Sequence, residues 1–357
     1  GALVVLHPLL LVASGAYGAT VLGLGSAVPG SIRLGTVAAL AAILLVSASL
    51  LRRRLGTHYE TWQVLHGTLA VAVVVRGTLH AARVGRHSDV TAMRAVGLVY
   101  AVIFVGVFAR YRLVRPFELL RRPWEVVELR RERGDAWTVR VRPVGHDGFS
   151  FEPGQFAWLN LGRTPFHLEQ HPISMSSDGD VPPRGEVAFT IKNLGDWSGR
   201  QVPALRPGQR VWVDGPHGVF SIDRDEGPGF VLIGGGVGVT PLVSMLETMA
   251  SRGDARPVVL FHCARSEEEL ILHEAIEALR PRLNLTVVPV LEHPPAGWAG
   301  ERGHVDRDAV VRHLPAGHAR WQYFTCGPPS LMDAMERVLP AIGVPPGRIH
   351  AERFDTV

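Results

Sequence analysis

A glycine-rich segment in the second half of the chain has the residue types and spacing of a dinucleotide-binding turn. Residues 230–241 read FVLIGGGVGVTP, an apolar run followed by glycines, a threonine and a proline. Glycines let the backbone approach a pyrophosphate, a helix N-terminus supplies unpaired N–H donors, and proline suits the first helical turn. A tight turn without a ligand is the alternative. The candidate coenzyme-binding residues are Gly234, Gly235, Gly236, Gly238, Thr240 and Pro241.

A second candidate site lies near the C-terminus, where residues 323–329 read YFTCGPP. This motif places Cys326 at the carboxyl end of a predicted strand, with Gly327 and Pro328 in the turn that follows. Ligands of open α/β sheets bind at that edge of the sheet. A buried, inert cysteine fits the motif equally well.

Two histidines in the first third of the chain lie in one apolar run. His66 and His80 are 14 residues apart, which on a helix is within about 40° of one face and roughly 21 Å along the axis. A polar ring inside a bilayer is costly and is by default functional. Two such rings on one face suit axial ligation of two stacked haems, and hydrogen bonding between packed helices is the alternative.

The elements that must position these histidines are four apolar stretches, each able to cross a bilayer about 30 Å thick with roughly 20 residues. The predicted spans are 1–25, 34–51, 59–82 and 94–114, within a helical domain of residues 1–115. Residues 1–114 contain ten arginines and two acidic residues, a net charge of +8, whereas the remainder has a net charge of −4. The arginines that flank the spans predict an integral membrane protein whose C-terminal domains are cytoplasmic. A buried soluble helical bundle is the alternative.

Composition narrows the function classes further. The chain is 46% hydrophobic and 20% charged, which is typical of a membrane part joined to a soluble part. The excess arginines lie beside apolar runs, so a nucleic-acid partner is not expected. The sequence has two cysteines, too few for an iron–sulfur cluster or a disulfide framework. Because Gly1 lies directly inside an apolar run, we expect further helices upstream; the oligomeric state stays open.

Two soluble domains follow the apolar region. Alternation over 126–142 and recurring Gly/Pro pairs predict a small antiparallel β-barrel at 122–222. Alternating strands and helices then predict a doubly wound parallel sheet at 228–357. The predicted strands and helices of this sheet are, respectively, 230–233, 257–262, 285–290 and 321–325, and 241–251, 267–279 and 329–341.

Six motifs in fixed order carry a family resemblance. The barrel region contains HPxS at 171–174, KxxGxxS at 192–198 and GPxG at 215–218. The glycine motif, CGPP at 326–329 and a terminal Glu-x-Phe follow. In this order the motifs resemble the ferredoxin–NADP reductase superfamily over residues 122–357. The site residues carried over from the barrel motifs are His171, Pro172, Ile173, Ser174, Lys192, Gly195 and Ser198.

The resemblance implies an FAD site on the barrel and an NAD(P)H site on the sheet. It implies that Ser174 bonds near the reactive flavin nitrogen, that His171 lies by the phosphate or ribitol, and that Gly195 and Ser198 meet the FAD pyrophosphate. The glycine motif would hold the NAD(P) pyrophosphate. The residues implied at the reacting rings are Ser174, Cys326 beside the nicotinamide, Glu352, and Phe354 stacked on the flavin.

The choice of coenzyme rests on the segment after the second strand of the sheet. Arg265 and Ser266 could bind a 2′-phosphate, whereas the glutamates at 267–269 would repel it or start the next helix. The balance of these residues leans slightly to NADPH.

The whole layout resembles the ferric reductase and NADPH oxidase family, particularly its bacterial members. The run YETWQVLH at 59–66 is similar to the start of that family's second haem-ligand helix. The resemblance implies that His7 and His80 complete an outer haem b site, and that His66 is half of an inner site whose partner would precede Gly1.

The function implied is transfer of electrons from cytoplasmic NAD(P)H through FAD and haem b, across a bacterial inner membrane, to a ferric chelate or dioxygen. The alternative is a haem-free flavin reductase, anchored in membrane lipid, that serves a quinone or a ferredoxin.

Overall fold

The computed structural model describes residues 29–56, 59–84, 91–180 and 182–354. The chain divides into two compact units, Gly1–Phe117 and Glu118–Val357. The first is helical where described, and the second contains two β-sheets.

The helical unit contains three long helices, α1 (Gly30–Leu55), α2 (Tyr59–Val84) and α3 (Thr91–Ala109). A π-helical turn joins α3 to the short helix α4 (Arg115–Leu120). Within the described residues, three helices are long and apolar enough to cross a membrane. They coincide with the predicted spans 34–51, 59–82 and 94–114. The first predicted span and His7 lie outside the described residues.

Glycines bring the three helices into close contact. A Cβ built on Gly35 of α1 would lie 2.7 Å from the imidazole of His80 on α2, and one on Gly67 of α2 would lie 2.8 Å from the ring of Phe108 on α3. Small residues at such crossings let helix backbones approach each other. Because the start of α1 meets the end of α2, these two helices are antiparallel.

The first sheet is antiparallel and has the strand order β4-β3-β6-β1-β2-β5. An isolated bridge between Met175, just after β4, and Phe189 in β5 joins the two ends of the sheet, as expected for a small barrel. The alternating run at 126–142 forms two strands, since Gly134 and Asp135 adopt positive φ and turn the chain between them. The strands are β1 (Trp124–Glu132), β2 (Ala136–Pro143), β3 (Phe156–Asn160), β4 (His171–Ser174), β5 (Val187–Lys192) and β6 (Arg210–His217).

The second sheet is parallel, with the order β10-β9-β8-β7-β11-β12. Buried apolar side chains pack on both of its faces, which explains the continuous apolar runs of its central strands. The strands are β7 (Phe230–Gly235), β8 (Val258–Ala264), β9 (Leu285–Leu291), β10 (Glu301–Arg302), β11 (Gln322–Gly327) and β12 (Ile349–Arg353), and the helices are α5 (Val239–Arg252), α6 (His273–Leu279), α7 (Arg307–His313) and α8 (Pro329–Ala341).

One predicted helix of this sheet is shorter than expected. The sequence predicts a helix over 267–279, but α6 begins only at His273. The acidic run Glu267–Glu269 forms a 3₁₀ turn, and Leu272 adopts a left-handed φ of 58°. This backbone stops a continuous helix and leaves the acidic run in a loop at the carboxyl end of β8.

Candidate functional site

The glycine turn joins β7 to α5 at the centre of the parallel sheet. Gly236 has a φ of +53°, and nothing lies within 4 Å of the position its Cβ would take. Its backbone therefore faces open space at the start of a 14-residue helix, which is the geometry of an anion cradle. At Gly238 a Cβ would overlap the carbonyl group of Cys326, so glycine is needed there for packing.

The other residues of the motif build the turn. The hydroxyl of Thr240 donates to the carbonyl of Val237 at 2.6 Å. The hydroxyl hydrogen is therefore used within the turn and does not bind a ligand. Pro241 is buried in the first turn of α5. A Cβ on Gly234 would lie 3.0 Å from Val239 Cα, and one on Gly235 would lie 2.7 Å from a methyl of Leu331.

The strand order places a crevice beside this turn. From β7 the chain runs outward through β8 and β9 on one side, and β11 and β12 lie on the other. Such a switch point is where open α/β sheets bind dinucleotides. By this rule an adenosine half would lie at the end of β8, and a nicotinamide half at the end of β11.

Cys326 lies at the end of β11, aligned with Gly234 in β7 and with Glu352 in β12. The side chain is fully buried. Burial, and then the charge of Glu352, raise the pKa of the Cys326 thiol well above its usual value. The sulfur is therefore a neutral, apolar group and not a thiolate nucleophile. Gly327 and Pro328 lead from it into α8, with Pro328 at the helix N-cap.

The C-terminal pair Glu352 and Phe354 lies at the same side of the sheet. Burial raises the pKa of Glu352, and Phe354 packs against the apolar cluster that contains Cys326. The structure thus brings together three of the four residues expected at the reacting rings.

The fourth, Ser174, is buried at the end of β4. In the same strand His171 packs against Trp197, with ring centroids 4.1 Å apart, and Ile173 packs on the barrel core. Pro172 is exposed on the opposite face of the strand, across from Trp158.

The loop after β5 fits the expected FAD pyrophosphate. Nothing lies within 4 Å of a Cβ on Gly195, so its backbone is open. Ser198 is used within the turn: its Oγ accepts from Leu194 N at 2.9 Å and donates to the Gly195 carbonyl at 3.3 Å. Trp197 Nε1 is buried without a hydrogen-bond partner in the described part of the chain. The open backbone and the buried donor fit a bound anionic group, with Ser198 shaping the loop that would hold it.

Lys192 connects the barrel to the parallel sheet. Its Nζ lies 3.2 Å from the Oε2 of Glu269, and Arg265 donates to the same oxygen at 3.0 Å. The turn of the β1–β2 hairpin also docks here, since Gly134 N donates to the Glu268 carbonyl at 2.8 Å. Arg265, expected beside a 2′-phosphate, is thus already paired with a carboxylate.

The two described histidines of the helical unit are both held by α1. His80 Nδ1 lies 2.8 Å from the Ser31 carbonyl oxygen, which can only accept a hydrogen bond. His66 Nδ1 lies 3.1 Å from Ser49 Oγ, whose own proton goes to the Leu45 carbonyl at 2.8 Å. In both rings Nδ1 is therefore the hydrogen-bond donor, and in the neutral imidazole Nε2 then has the free lone pair.

This tautomer fits a haem ligand, because iron-ligating histidines donate their other ring N–H to an oxygen of the protein. Over the described residues, no group of three His, Cys, Asp or Glu side chains could hold a metal ion. A haem would therefore rest on paired histidines, of which His7 lies outside the described residues.

Two residues of these sites, Ser49 and Gly35, have no signal in the sequence. Ser49 acts through a contact between distant segments, as Glu269 does in its pairing with Lys192, and no local pattern marks either contact. Gly35 sits in an apolar helix run where a glycine carries no clear signal.

An antiparallel barrel, a parallel sheet with a glycine turn at its switch point, and an open loop on the barrel together define a flavin- and nicotinamide-dependent oxidoreductase. A family model described as "Oxidoreductase NAD-binding domain" matches residues 232–337. The chain belongs to the ferredoxin reductase family of NAD(P)H-dependent flavin oxidoreductases.

Three known proteins illustrate this membership. The chain is 36% identical over 234 residues to the reductase subunit of an aromatic O-demethylase from Amycolatopsis sp., covering 64% of this chain and 67% of that protein. It is 33% identical over 228 residues to the reductase component of propane 2-monooxygenase from Rhodococcus jostii, covering 62% and 60%. The FAD/NAD-binding domain of nitric oxide dioxygenase from Vibrio cholerae shares the fold, with a TM-score of 0.58, 22% identity, and coverage of 65% of this chain and 98% of that one.

The chain spans 60% of the length of the first curated relatives that it matches. The expected resemblance to the ferredoxin reductase superfamily is confirmed. The resemblance of the helical part to ferric reductases stays a prediction.

Proposed function

We propose that this protein is a membrane flavocytochrome that passes electrons from cytoplasmic NAD(P)H through FAD and haem b to an acceptor outside a bacterial inner membrane, a ferric chelate or dioxygen. The observation that carries the proposal is the hydrogen-bond pattern shared by His66 and His80, in which Nδ1 of each ring donates to α1. Both lie in one helix apolar enough to cross a membrane, and both keep Nε2 available as a ligand.

The surface of the helices supports a lipid environment. Helix α3 has no buried residue and is apolar around its circumference. Contiguous apolar surface of this kind marks a membrane or protein contact. Its exposed large side chains are Met93, Val96, Leu98, Val99, Tyr100, Val102, Ile103, Phe104 and Val107. The ends of the three helices carry arginines and few acids, which favours membrane spans with a cytoplasmic C-terminal half.

Histidine geometry supports haem ligation. The two ring nitrogens of an imidazole point to opposite edges, so a ring whose Nδ1 is bonded to α1 presents Nε2 away from α1. A bound haem would add one-electron transfer at the iron, at a potential set by its ligands and their hydrogen bonds. We assign His80 with His7 to the outer site and His66 to the inner one.

Residues of the soluble half would bind and orient the two soluble cofactors. The open backbone at Gly236 would hold the coenzyme pyrophosphate, and the neutral Cys326 would form an apolar wall for the nicotinamide. The open backbone at Gly195 would hold the FAD pyrophosphate, and Phe354 would cover the flavin. FAD accepts two electrons from NAD(P)H and can release them one at a time, as haem requires.

A second candidate function follows from the relatives. Their names describe reductase subunits of oxygenase and demethylase systems. In that case the chain would pass electrons from FAD to a separate iron–sulfur or haem protein, such as a ferredoxin or an oxygenase component. The helices would then serve as an anchor, with His66 and His80 as packing residues.

Haem content of a histidine variant tests the proposal. We expect His80→Ala to lower the haem-to-protein ratio of the purified full-length protein, measured as the pyridine haemochromogen, while FAD content is retained. The control is His304→Ala, because the His304 side chain is 80% exposed in the soluble half. An unchanged haem content in His80→Ala would refute the ligand assignment, and absence of haem from the unaltered protein would favour the second candidate.

A further inference from the structure

The segment after β8 decides what the coenzyme meets at its adenosine ribose. In doubly wound sheets the loop after the second strand reads the ribose 2′-position: an acidic residue accepts from the 2′-hydroxyl of NADH, whereas an arginine pairs with the 2′-phosphate of NADPH. Here β7 carries the glycine turn and β8 is the next strand, so residues 265–269 occupy this position.

Two of the three cations at this position are bound to the same carboxylate, and the third, Arg133, pairs with Glu274 at 2.7 Å. Arg265 donates from Nε and Nη2 to Glu269 Oε2, at 3.2 and 3.0 Å. Lys192 reaches the same oxygen from β5 at 3.2 Å. The Glu269 side chain is 26% exposed and the Lys192 side chain 18% exposed, so water screens this pairing only in part.

The one hydroxyl at this position is also bound to a carboxylate. Ser266 Oγ donates to Glu268 Oε2 at 2.7 Å. Arg265, Lys192 and Ser266 are therefore each occupied by an acidic side chain of this loop, and Arg133 is occupied by Glu274 of α6.

The local charge opposes a phosphate. Arg265, Lys192 and Arg133 carry three positive charges, against four negative ones on Glu267–Glu269 and on Glu274, the partner of Arg133. Partial burial raises the pKa of Glu269, but the hydrogen bonds and charges of Arg265 and Lys192 together outweigh burial and lower the pKa, so the carboxylate stays ionised. A 2′-phosphate would have to displace this carboxylate and then lie among like charges, which costs affinity. A neutral 2′-hydroxyl meets no such charge.

We propose that Glu269 sets the coenzyme choice: by bridging Arg265 and Lys192 it closes the 2′-phosphate position and selects NADH over NADPH. This proposal rests on the reductase half of the proposed function and is independent of haem. It replaces the slight lean to NADPH that the sequence suggests, because sequence cannot show that Arg265 is already paired.

The same bridge joins the two soluble domains. Lys192 belongs to the barrel and Glu269 to the parallel sheet, and the β1–β2 turn docks on the neighbouring residue Glu268. The position of the Glu269 carboxylate is therefore fixed by contacts with both soluble domains.

The test compares Glu269→Gln with Glu277→Gln in the full-length protein. Glu277 is a suitable control because it also pairs with an arginine, Arg280 at 3.0 Å, on the exposed surface of α6. The measurement is kcat/KM for NADH and for NADPH with ferricyanide as acceptor. We expect the unaltered protein and Glu277→Gln to prefer NADH by at least about tenfold in kcat/KM. A tenfold preference corresponds to about 1.4 kcal/mol, the free energy expected for one lost charge pairing. Glu269→Gln should lower this ratio about tenfold, mainly through a lower KM for NADPH.

Two further measurements complete the test. Adding Arg265→Ala to Glu269→Gln should abolish the gain with NADPH. Binding of 5′-AMP and 2′,5′-ADP to the unaltered protein, measured by calorimetry, needs no variant and no turnover; we expect 5′-AMP to bind more tightly.

Equal or tighter binding of 2′,5′-ADP, or an unchanged coenzyme ratio in Glu269→Gln, would overturn the proposal. If neither coenzyme reduced the flavin of the unaltered protein, the proposed function would fail, and the two adenosine ligands would still decide the selectivity of the site.

Discussion

The imidazole of His80 rests on the bare backbone of Gly35 and donates from Nδ1 to the Ser31 carbonyl oxygen at 2.8 Å. A Cβ on Gly35 would lie 2.7 Å from the ring, so the glycine makes room for the histidine. The contact fixes both the ring position and its tautomer. The availability of Nε2 as a ligand therefore depends on how α1 and α2 pack against each other.

Replacing this glycine tests that link. We expect Gly35→Ala to push the His80 ring away from α1 and to lower the haem-to-protein ratio at least twofold, while FAD content stays the same. The matched control is Gly77→Ala, since Gly77 lies on the same helix as His80 and nothing lies within 4 Å of its Cβ position. Equal haem content in the two variants would show that the contact serves packing alone.

The glycine turn of the coenzyme site gives a second matched pair. Gly236 and Gly253 lie before and after α5, with φ of +53° and +64° and open space at both Cβ positions. Valine at either site costs a similar backbone strain, of about 1–2 kcal/mol. We expect only Gly236→Val to slow anaerobic flavin reduction by NADH, at least about tenfold, because only this side chain would enter the pyrophosphate cradle. Stopped-flow absorbance at the flavin band measures the rate, and equal rates in both variants would refute the assignment.

Burial of Glu352 predicts a pH-dependent stability. Burial raises the pKa of this carboxyl above its ordinary value, so between the two values the folded protein holds a proton that the unfolded chain has lost. Stability from this group therefore falls as pH rises from the ordinary pKa through the raised one. We expect the Tm of Glu352→Gln, relative to that of the unaltered protein, to be higher at pH 8 than at pH 4.5.

Release of flavin fluorescence on heating follows this Tm. Glu277→Gln serves as the control, because Glu277 lies on α6 and pairs with Arg280 at the surface. A Tm difference between Glu352→Gln and the unaltered protein that does not change with pH would contradict the expectation.

The central strands and their turns could be read from the sequence. The apolar runs of β7, β8, β9 and β11 are continuous because both faces are covered, and each ends in residues that mark a turn. Strand β10 has two residues and β12 reads IHAER, too short or too polar for a periodic signal. Helix α6 starts late because Leu272 adopts a left-handed backbone, which no local propensity for leucine indicates.

The site was predictable where it depends on backbone and not where it depends on tertiary pairing. Gly236 and Gly238 stand out in the sequence because glycine spacing reports backbone conformation. The carboxylate that pairs with Arg265 is that of Glu269. Glu269 also contacts Lys192 of β5, and a contact between distant segments cannot be predicted from the local sequence. For the same reason Thr240 and Ser198, expected at ligands, prove to bind their own turns.

The two cysteines give a prediction about reactivity. Burial raises the pKa of Cys263 to about 12 and raises that of the fully buried Cys326 well above its usual value. Thiolate is the reactive form, so at pH 8 the thiolate fraction of Cys263 should be far below that of an ordinary thiol. We expect iodoacetamide to label neither cysteine of the folded protein at the rate of a free thiol, and to label both in denaturant. Peptide mass spectrometry measures the labelling, and rapid labelling of Cys326 would contradict its role as a neutral wall.

The most direct test of the central claim is an absorption spectrum of the full-length protein, purified in detergent, before and after anaerobic addition of NADH. We expect a Soret band together with flavin absorbance, and sharpened haem α and β bands once NADH is added. A flavin spectrum alone, bleached by NADH, would contradict the claim and make His66 and His80 packing residues of an anchored flavin reductase.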